Sequence, residues 1–264
     1  MVNWHNFATV SATALAAMVL LFGATFLVGR RIGRYNVVDV TWGLAFVVVA
    51  VVAAVLGTGD LTRRLLLLAL VAVWGLRLAA HLTVKLRGKG EDPRYQAHLG
   101  GDFSAGNVLR KIFVIQGLSA WFVSLPLQLS AATGATPPRW LPVLVVGTLV
   151  WLVGFVFEAV GDQQLKAFKA DPANKGKIMD RGLWSWTRHP NYFGDACVWW
   201  GLWLVTLNGW PALATVLSPV LMTYYLVYAT GARLAEKHMA DRPGFREYQS
   251  RTAFFVPRPP RRSG

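Results

Sequence analysis

The chain has 264 residues, of which 54% are hydrophobic and only 15% are charged, and its formal net charge is +14. A soluble domain carries about 25% charged residues, so this composition excludes a water-soluble globular protein. The positive charge falls in a few polar stretches, as in the cytoplasmic loops of membrane proteins, and we expect no nucleic-acid partner.

Apolar runs long enough to cross a bilayer recur along the whole chain. A spanning helix needs about 20 predominantly apolar residues. The sequence predicts seven spans, over about residues 8–28, 37–56, 61–84, 112–132, 140–160, 192–207 and 210–230. The spans and their connections occupy nearly all of the chain. We therefore predict an all-α integral membrane protein with one transmembrane domain over residues 1–264.

The distribution of Lys and Arg predicts the orientation. Residues 30–36, 85–111, 161–191 and 231–264 together carry 23 of the 27 Lys and Arg residues. Since these residues accumulate in cytoplasmic loops, we predict the N-terminus outside and the C-terminus in the cytoplasm. We expect a multi-pass monomer surrounded by membrane lipid.

Ionisable side chains within apolar runs cost free energy to insert and are candidates for a functional site. The sequence places five there: Asp39, Arg77, His81, Glu158 and Asp195. Gln116 and Gln128 add neutral polar groups. Asp39 lies one helical turn after Tyr35, where its carboxylate could orient a substrate or a proton donor. It could equally be the structural partner of a cation on another helix.

The richest polar segment is RGLWSWTRHPNYFGD, residues 181–195. It combines arginines, which suit phosphate oxygens, with indole rings on which a base could stack. This composition fits a nucleotide pocket at the membrane surface, and it also fits an interfacial anchor of aromatic and basic side chains. Residues 233–251 repeat the composition, either as a second pocket wall or as a basic helix attracted to anionic lipid.

Several other chemistries have no support in the sequence. There is no glycine-rich phosphate loop followed by Lys and Ser or Thr, and no metal-binding spacing of Cys and His. Cys197 is the only cysteine, so no intramolecular disulfide can form. We expect no metal.

Several segments resemble a known superfamily. They are RHPNYFGD (residues 188–195), Glu236, RPGFREY (242–248) and FVP (255–257). Together they are similar to the C-terminal domain of the steroid 5-alpha-reductases. The whole chain resembles an uncharacterised bacterial branch of that superfamily, in which YNVVDVTWG (35–43) and RGKGEDPRY (87–95) are also familiar. The resemblance implies a seven-helix fold, NADPH bound from the cytoplasm, and hydride transfer to a C=C bond of a lipid, typically an enone steroid.

The resemblance also implies functional residues. The NADPH contacts would fall on Asp162, Lys169, Arg181, Trp186, Arg188, Asn191, Tyr192, Asp195, Arg233, Glu236, His238, Tyr248 and Arg251. The steroid enzymes polarise the carbonyl with a Gln–Glu pair on the second span and a tyrosine on the third. This chain has Asp39 without a neighbouring Gln on the second span, and Trp74 on the third. We therefore predict Asp39 as the catalytic carboxylate, with Tyr35, Tyr95 or Tyr224 as the source of a hydroxyl.

The predicted function is an NADPH-dependent membrane reductase of a steroid-like or other lipid substrate. One alternative is an S-adenosylmethionine-dependent membrane methyltransferase of the isoprenylcysteine carboxyl type, which shares a similar Arg-His-Pro-x-Tyr segment and a later Glu. Arg181, Arg188, Arg233 and Arg251 favour the reductase, because NADPH brings a pyrophosphate and a 2′-phosphate. The other alternative is a sterol- or lipid-binding membrane protein that has the fold without turnover.

Overall fold

The computed structural model describes residues 1–260, and this part of the chain is helical. The α-helices are α1 (Trp4–Ile32), α2 (Val38–Leu56), α3 (Leu61–Leu86), α4 (Pro93–Leu99), α5 (Ala105–Val108), α6 (Ile115–Val123), α7 (Leu125–Ala131), α8 (Leu141–Ala170), α9 (Leu183–Trp186), α10 (Pro190–Thr206), α11 (Trp210–Leu213), α12 (Leu217–Tyr224), α13 (Ala232–Met239) and α14 (Phe245–Arg251). Single 3-10 turns lie at Pro138–Trp140, Pro172–Asn174 and Ala214–Val216, and π-helical turns at Leu109–Val114 and Tyr225–Ala229. Within residues 1–260 there is no β-strand, and the prediction of an all-helical chain is confirmed there.

Five helical segments are long and apolar enough to cross a membrane: Trp4–Ile32, Val38–Leu56, Leu61–Leu86, Pro138–Ala170 and Trp210–Met239. Ala105–Val123 and Leu125–Ala131 form a sixth candidate if they are counted as one bent span. The chain is thus suited to crossing the membrane several times. The remaining predicted span corresponds to α10, which has 17 residues and is shorter than the length typical of a span. Seven spans and their orientation remain predictions.

The predicted span over residues 112–132 differs from the structure in its start and its shape. The helical segment begins earlier, at Ala105, and passes through the π-helical turn Leu109–Val114. It then bends by 46° between α6 and α7. Pro126 lies at the bend, and proline there removes a backbone donor and clashes with the preceding turn.

The chain divides into two compact units. The first contains Met1–Leu141 and Thr206–Ser218, and the second contains Pro142–Val205 and residues 219–260. In the first unit α2 and α3 approach closely, since a Cβ at Gly75 would lie 2.6 Å from the carbonyl oxygen of Gly43. In the second unit α8 meets α10 in the same way, since a Cβ at Gly154 would lie 2.5 Å from the carbonyl oxygen of Gly194. Small residues at such positions allow membrane helices to pack backbone to backbone.

A buried arginine organises one end of the first unit. Arg63, in the first turn of α3, is only 1% exposed. Its guanidinium donates to the hydroxyl of Ser130 at 2.8 Å and to the carbonyl oxygens of Thr133 at 2.6 Å and Gly134 at 3.0 Å. Because these bonds satisfy a buried cation with backbone oxygens, they fix the end of α7 against the start of α3.

Candidate functional site

The first cluster of polar side chains lies in the first unit and joins α2, α4 and α6. The hydroxyl of Tyr95 donates to Oδ1 of Asp39 at 2.5 Å, and Nε2 of Gln116 donates to the Tyr95 hydroxyl at 3.2 Å. The indole N–H of Trp42 in turn donates to Oε1 of Gln116 at 2.6 Å. This direction fixes the orientation of the Gln116 amide, so its NH₂ group faces Tyr95. We call Asp39, Tyr95, Gln116 and Trp42 the carboxylate–tyrosine cluster.

Helix α4 positions Tyr95. Asp92 caps its N-terminus by accepting from the backbone N–H of Arg94 at 2.9 Å, and Pro93 occupies the first turn. The Arg94 guanidinium returns to Asp92 at 2.8 Å and lies 3.5 Å from the Asp39 carboxylate. Burial alone would raise the pKa of Asp92, but the hydrogen bonds from Arg94 lower it. The cap and the ion pair therefore hold the start of α4 beside Asp39.

A second set of contacts holds the loop before α4 to the residues just before α2. The Glu91 carboxylate accepts from the backbone N–H of Asn36 at 3.0 Å and from that of Tyr35. The side chain of Asn36 donates to the carbonyl oxygen of Gly90 at 2.8 Å. These bonds bring together parts of segments 35–43 and 87–95, both singled out in the sequence.

The environment of Tyr95 suits a proton donor. Burial raises its pKa well above 10, and the neighbouring Asp39 carboxylate raises it further. The hydroxyl thus keeps its proton at neutral pH. Tyr35 lies elsewhere: its ring stacks on Phe26 and meets Phe113 edge-on, and Asp39 receives its hydrogen bonds from Tyr95 and Arg94. Tyr224 stacks on Tyr228. Of the three tyrosines favoured by sequence, the structure therefore brings Tyr95 to the carboxylate.

The second cluster lies in the second unit and is centred on Glu236 of α13. Its Oε1 accepts from Nε of Arg188 at 2.6 Å and lies 3.2 Å from Nε2 of His189, while its Oε2 accepts from Gln249 at 3.0 Å. Nη1 of Arg188 donates to the carbonyl oxygens of Thr252 at 2.6 Å and Gln249 at 3.1 Å. We call Arg188, His189, Glu236 and Gln249 the arginine–glutamate cluster.

The backbone around Arg188 explains how the cluster forms. Residues 186–188 run beside the C-terminal segment: the N–H of Arg188 donates to Ala253 at 2.9 Å, and that of Arg258 donates to Trp186 at 3.0 Å. Pro190 then begins α10. His189 is buried, which lowers its pKa, and its hydrogen bond to the Glu236 carboxylate offsets only part of this effect. His189 is consequently a neutral imidazole at pH 7.

The other residues implied by the resemblance have different surroundings: some are paired, some stacked on rings, one buried in α10 and some exposed. Asn191 donates to Asp162 at 3.1 Å, the buried Tyr248 donates to the carbonyl oxygen of Trp184 at 2.5 Å, and Arg251 pairs with Asp180. The stacked residues are Tyr192, on His189, and Arg233, over the rings of Tyr228 and Phe254. Asp195 is buried in α10. The exposed residues are Lys169, Arg181, Trp186 and His238.

A cavity of about 250 Å³ adjoins the arginine–glutamate cluster. It is lined by Arg188, Gln249, Ser250, Arg251, Thr252, Ala253, Phe254, Arg258 and Pro259. Small-molecule pockets usually measure about 300–1,000 Å³, so this cavity suits a compact group. Its three guanidinium groups fit the phosphate portion of a nucleotide, whereas its volume does not fit a whole dinucleotide. Within residues 1–260, no group of three or more His, Cys, Asp or Glu side chains could hold a metal ion.

Comparison with known proteins assigns the chain to a family. The model of a family described as "Protein of unknown function (DUF1295)" matches residues 25–252. The chain belongs to the DUF1295 family. A curated protein of Ustilaginoidea virens, named "Probable O-methyltransferase ustE", is 47% identical over 51 residues. This match covers 19% of the present chain and 18% of that protein. No solved structure matches the chain.

Sequence reasoning on this DUF1295 member missed two parts of its site. It noted Gln116 as a neutral polar group within an apolar run without assigning it to Tyr95, because residues 95 and 116 lie on different helices. It also counted Arg188 and Arg251 as cations available for phosphate, whereas each is paired with a carboxylate. Glu236, noted in the sequence after the Arg-His-Pro-x-Tyr segment, was the available signal for the Arg188–Glu236 pair.

Proposed function

We propose that this protein is an NADPH-dependent membrane reductase that acts on an activated C=C bond of a lipid, such as a steroid-like enone. The observation that carries the proposal is the Tyr95 hydroxyl bound to the Asp39 carboxylate and supported by Gln116. When the C=C bond of an enone is reduced, negative charge develops on the carbonyl oxygen. A donor held in place for that oxygen stabilises the transition state.

Tyr95 would supply this donor. Its raised pKa keeps the hydroxyl protonated, so it acts as an acid rather than as a base. In the free protein its single O–H donates to Asp39, so it would turn to the carbonyl oxygen when the substrate binds, while the hydrogen bond from Gln116 holds the phenolic oxygen in place. A carboxylate and a tyrosine are also the groups that the resembling steroid enzymes use, and here they come from α2 and α4. That likeness supports the proposed superfamily and the predicted role of Asp39.

The second unit would hold the cofactor, which when bound supplies the hydride. Arg188, Arg251 and Arg258 would bind its phosphates, and the rings of Trp186 and Tyr192 offer surfaces for stacking. We further propose that the protein is a monomer in the bacterial inner membrane, with its C-terminus in the cytoplasm. Its substrate would reach it from the bilayer.

Two observations favour a second candidate, a membrane methyltransferase that uses S-adenosylmethionine. The DUF1295 chain shares a short segment with a protein named as a probable O-methyltransferase. In addition, Glu236 and Asp180 neutralise two of the four arginines predicted to bind phosphates. Methylation of a hydroxyl releases its proton, and in this candidate Asp39 would accept that proton. The reductase instead uses the cluster to donate a hydrogen bond through Tyr95.

A thermal-shift titration of the purified chain with NADPH, NADH and S-adenosylmethionine separates these candidates. A ligand that binds only the folded state stabilises it by about 2.7 kcal/mol at a hundredfold excess over its dissociation constant. Stabilisation by NADPH, followed by NADPH consumption with an enone lipid, would support the reductase. Stabilisation by S-adenosylmethionine alone would replace it with the methyltransferase. NADPH binding without turnover of any enone lipid would favour the non-catalytic lipid-binding protein.

A further inference from the structure

The cavity beside the arginine–glutamate cluster has a positively charged wall. Three of its nine lining residues are arginines, and none is Asp or Glu. Arg188 and Arg251 are balanced by Glu236 and Asp180, which lie outside the lining. Arg258 forms no ion pair with any residue from 1 to 260, so the cavity retains uncompensated positive charge.

Arg188 is already held in place for binding. Its side chain is only 10% exposed, its Nε is bound to Glu236, and its Nη1 is bound to two backbone carbonyl oxygens. Phe254 lies against its guanidinium at 5.5 Å. Nη2 donates to no residue in the part of the chain that the structure describes. Because Nε and Nη1 already hold this buried guanidinium in place and Nη2 can still donate, the side chain loses little entropy when it binds an anion.

We propose that this cavity binds a terminal phosphate group. Arg188 and Arg251 would approach the group from the cluster side and Arg258 from the C-terminal segment, and the Ser250 hydroxyl lies in the same wall. Guanidinium groups match phosphate oxygens in charge and geometry. A cavity of about 250 Å³ holds such a group without enclosing the molecule that carries it.

The phosphate could belong to a nucleotide, to a lipid headgroup, or to free phosphate. The chemistry of the cavity is the same in each case. The inference therefore does not require that the protein be a reductase, and it adds Arg258, Gln249 and Ser250 to the residues considered by sequence.

The test uses the full chain in detergent micelles and the variant Arg258→Gln, which removes one positive charge from an exposed side chain. Arg246→Gln is the matched control, because Arg246 is also exposed and basic, lies in the same unit and does not line the cavity. Thermal shifts are measured with inorganic phosphate, with NADPH against NADH, and with phosphatidic acid against diacylglycerol. Each of the two pairs differs by one phosphate group.

We expect the chain to bind at least one phosphate ligand more tightly than its phosphate-free counterpart. Arg258→Gln should weaken that binding about tenfold, and Arg246→Gln should leave it within twofold, since only the former removes a charge-assisted hydrogen bond. The proposal is overturned if none of the phosphate ligands shifts the midpoint, or if both variants weaken binding equally.

The same titrations identify the source and separate this proposal from the reductase. Preference for NADPH over NADH assigns the phosphate to the nucleotide, and preference for phosphatidic acid assigns it to a lipid. Binding of phosphatidic acid without NADPH would retain the phosphate site and reject the reductase. Equal binding of NADPH and NADH, with no response to the other phosphate ligands, would reject the phosphate site and retain the reductase.

Discussion

Arg188 and Glu236, 48 residues apart, are joined by a hydrogen bond of 2.6 Å between Nε and Oε1. Their side chains are only 10% and 15% exposed. The same carboxylate also receives Gln249 and faces His189. Most of the polar contacts of the second cluster therefore depend on one carboxylate.

Glu236→Gln should destabilise the protein by about 3 kcal/mol, because removal of one partner leaves the Arg188 charge uncompensated in a mostly buried site. The free energy of unfolding, or the thermal midpoint in detergent, measures this loss. Glu247→Gln is the control. Glu247 lies 3.8 Å from Arg251 with its side chain 72% exposed, so its loss should matter by less than about 0.5 kcal/mol. Equal effects would argue against a structural role for the Arg188–Glu236 pair.

Tyr95→Phe should reduce enone reduction by about 100-fold or more, because it removes the donor proposed for the carbonyl oxygen. NADPH binding, measured by thermal shift, should remain unchanged. Tyr35→Phe removes a hydroxyl that does not contact Asp39, and it should keep most of the turnover. NADPH consumption with a panel of enone lipids makes the comparison. Full turnover by Tyr95→Phe would remove this tyrosine from the mechanism.

Trp42→Phe and Gln116→Leu should show coupled effects on stability. Trp42 Nε1 donates to Gln116 at 2.6 Å, so each single variant leaves a polar group of the other residue without this partner. Bonded neighbours of this kind couple by about 0.5–3 kcal/mol. A double-mutant cycle on thermal unfolding measures the coupling. Additive losses would mean that Trp42 does not orient the Gln116 amide.

His189 should make stability depend on pH. Burial lowers its pKa in the folded state, so below pH 6.5 the unfolded chain binds the proton more readily. Stability is therefore fully present above pH 6.5 and decreases as the pH falls from 6.5 through the folded pKa, by up to about 1.4 kcal/mol per pH unit.

Thermal midpoints between pH 8 and pH 5 test this expectation. The variant His189→Asn should flatten the dependence, whereas His238→Asn, at an exposed position, should leave it unchanged. If the slope survives in His189→Asn, another group is responsible for it.

Gly75→Ala should destabilise the first unit by more than about 2 kcal/mol, because its Cβ would lie 2.6 Å from a backbone oxygen that cannot move independently of α2. Gly23→Ala is the matched control. Its Cβ would meet no atom within 4 Å, and alanine favours the helix by about 1 kcal/mol. Thermal unfolding in detergent distinguishes the two, and a tolerated Gly75→Ala would mean that α2 and α3 can separate.

Hydropathy predicted the long helices well because the signal for them is local. In a bilayer each segment satisfies its own backbone hydrogen bonds, so about 20 apolar residues suffice to define a helix. α2 and α3 accordingly lie within two residues of their predicted bounds. The segment around α6 and α7 was predicted less accurately, because Pro126 and the π-helical turn change its shape without changing its hydropathy.

By itself, the sequence determined that the chain is helical with several segments apolar enough to cross a membrane, and that Asp39 and residues 181–195 carry polar side chains inside or beside apolar runs. Only the tertiary structure decided which partners these residues have. It gave Tyr95 rather than Tyr35 to Asp39, gave Glu236 to Arg188, and placed Arg258 in the cavity wall. The reason is physical: burial cost is a property of one residue, whereas a hydrogen bond joins two residues that are often some 50 positions apart.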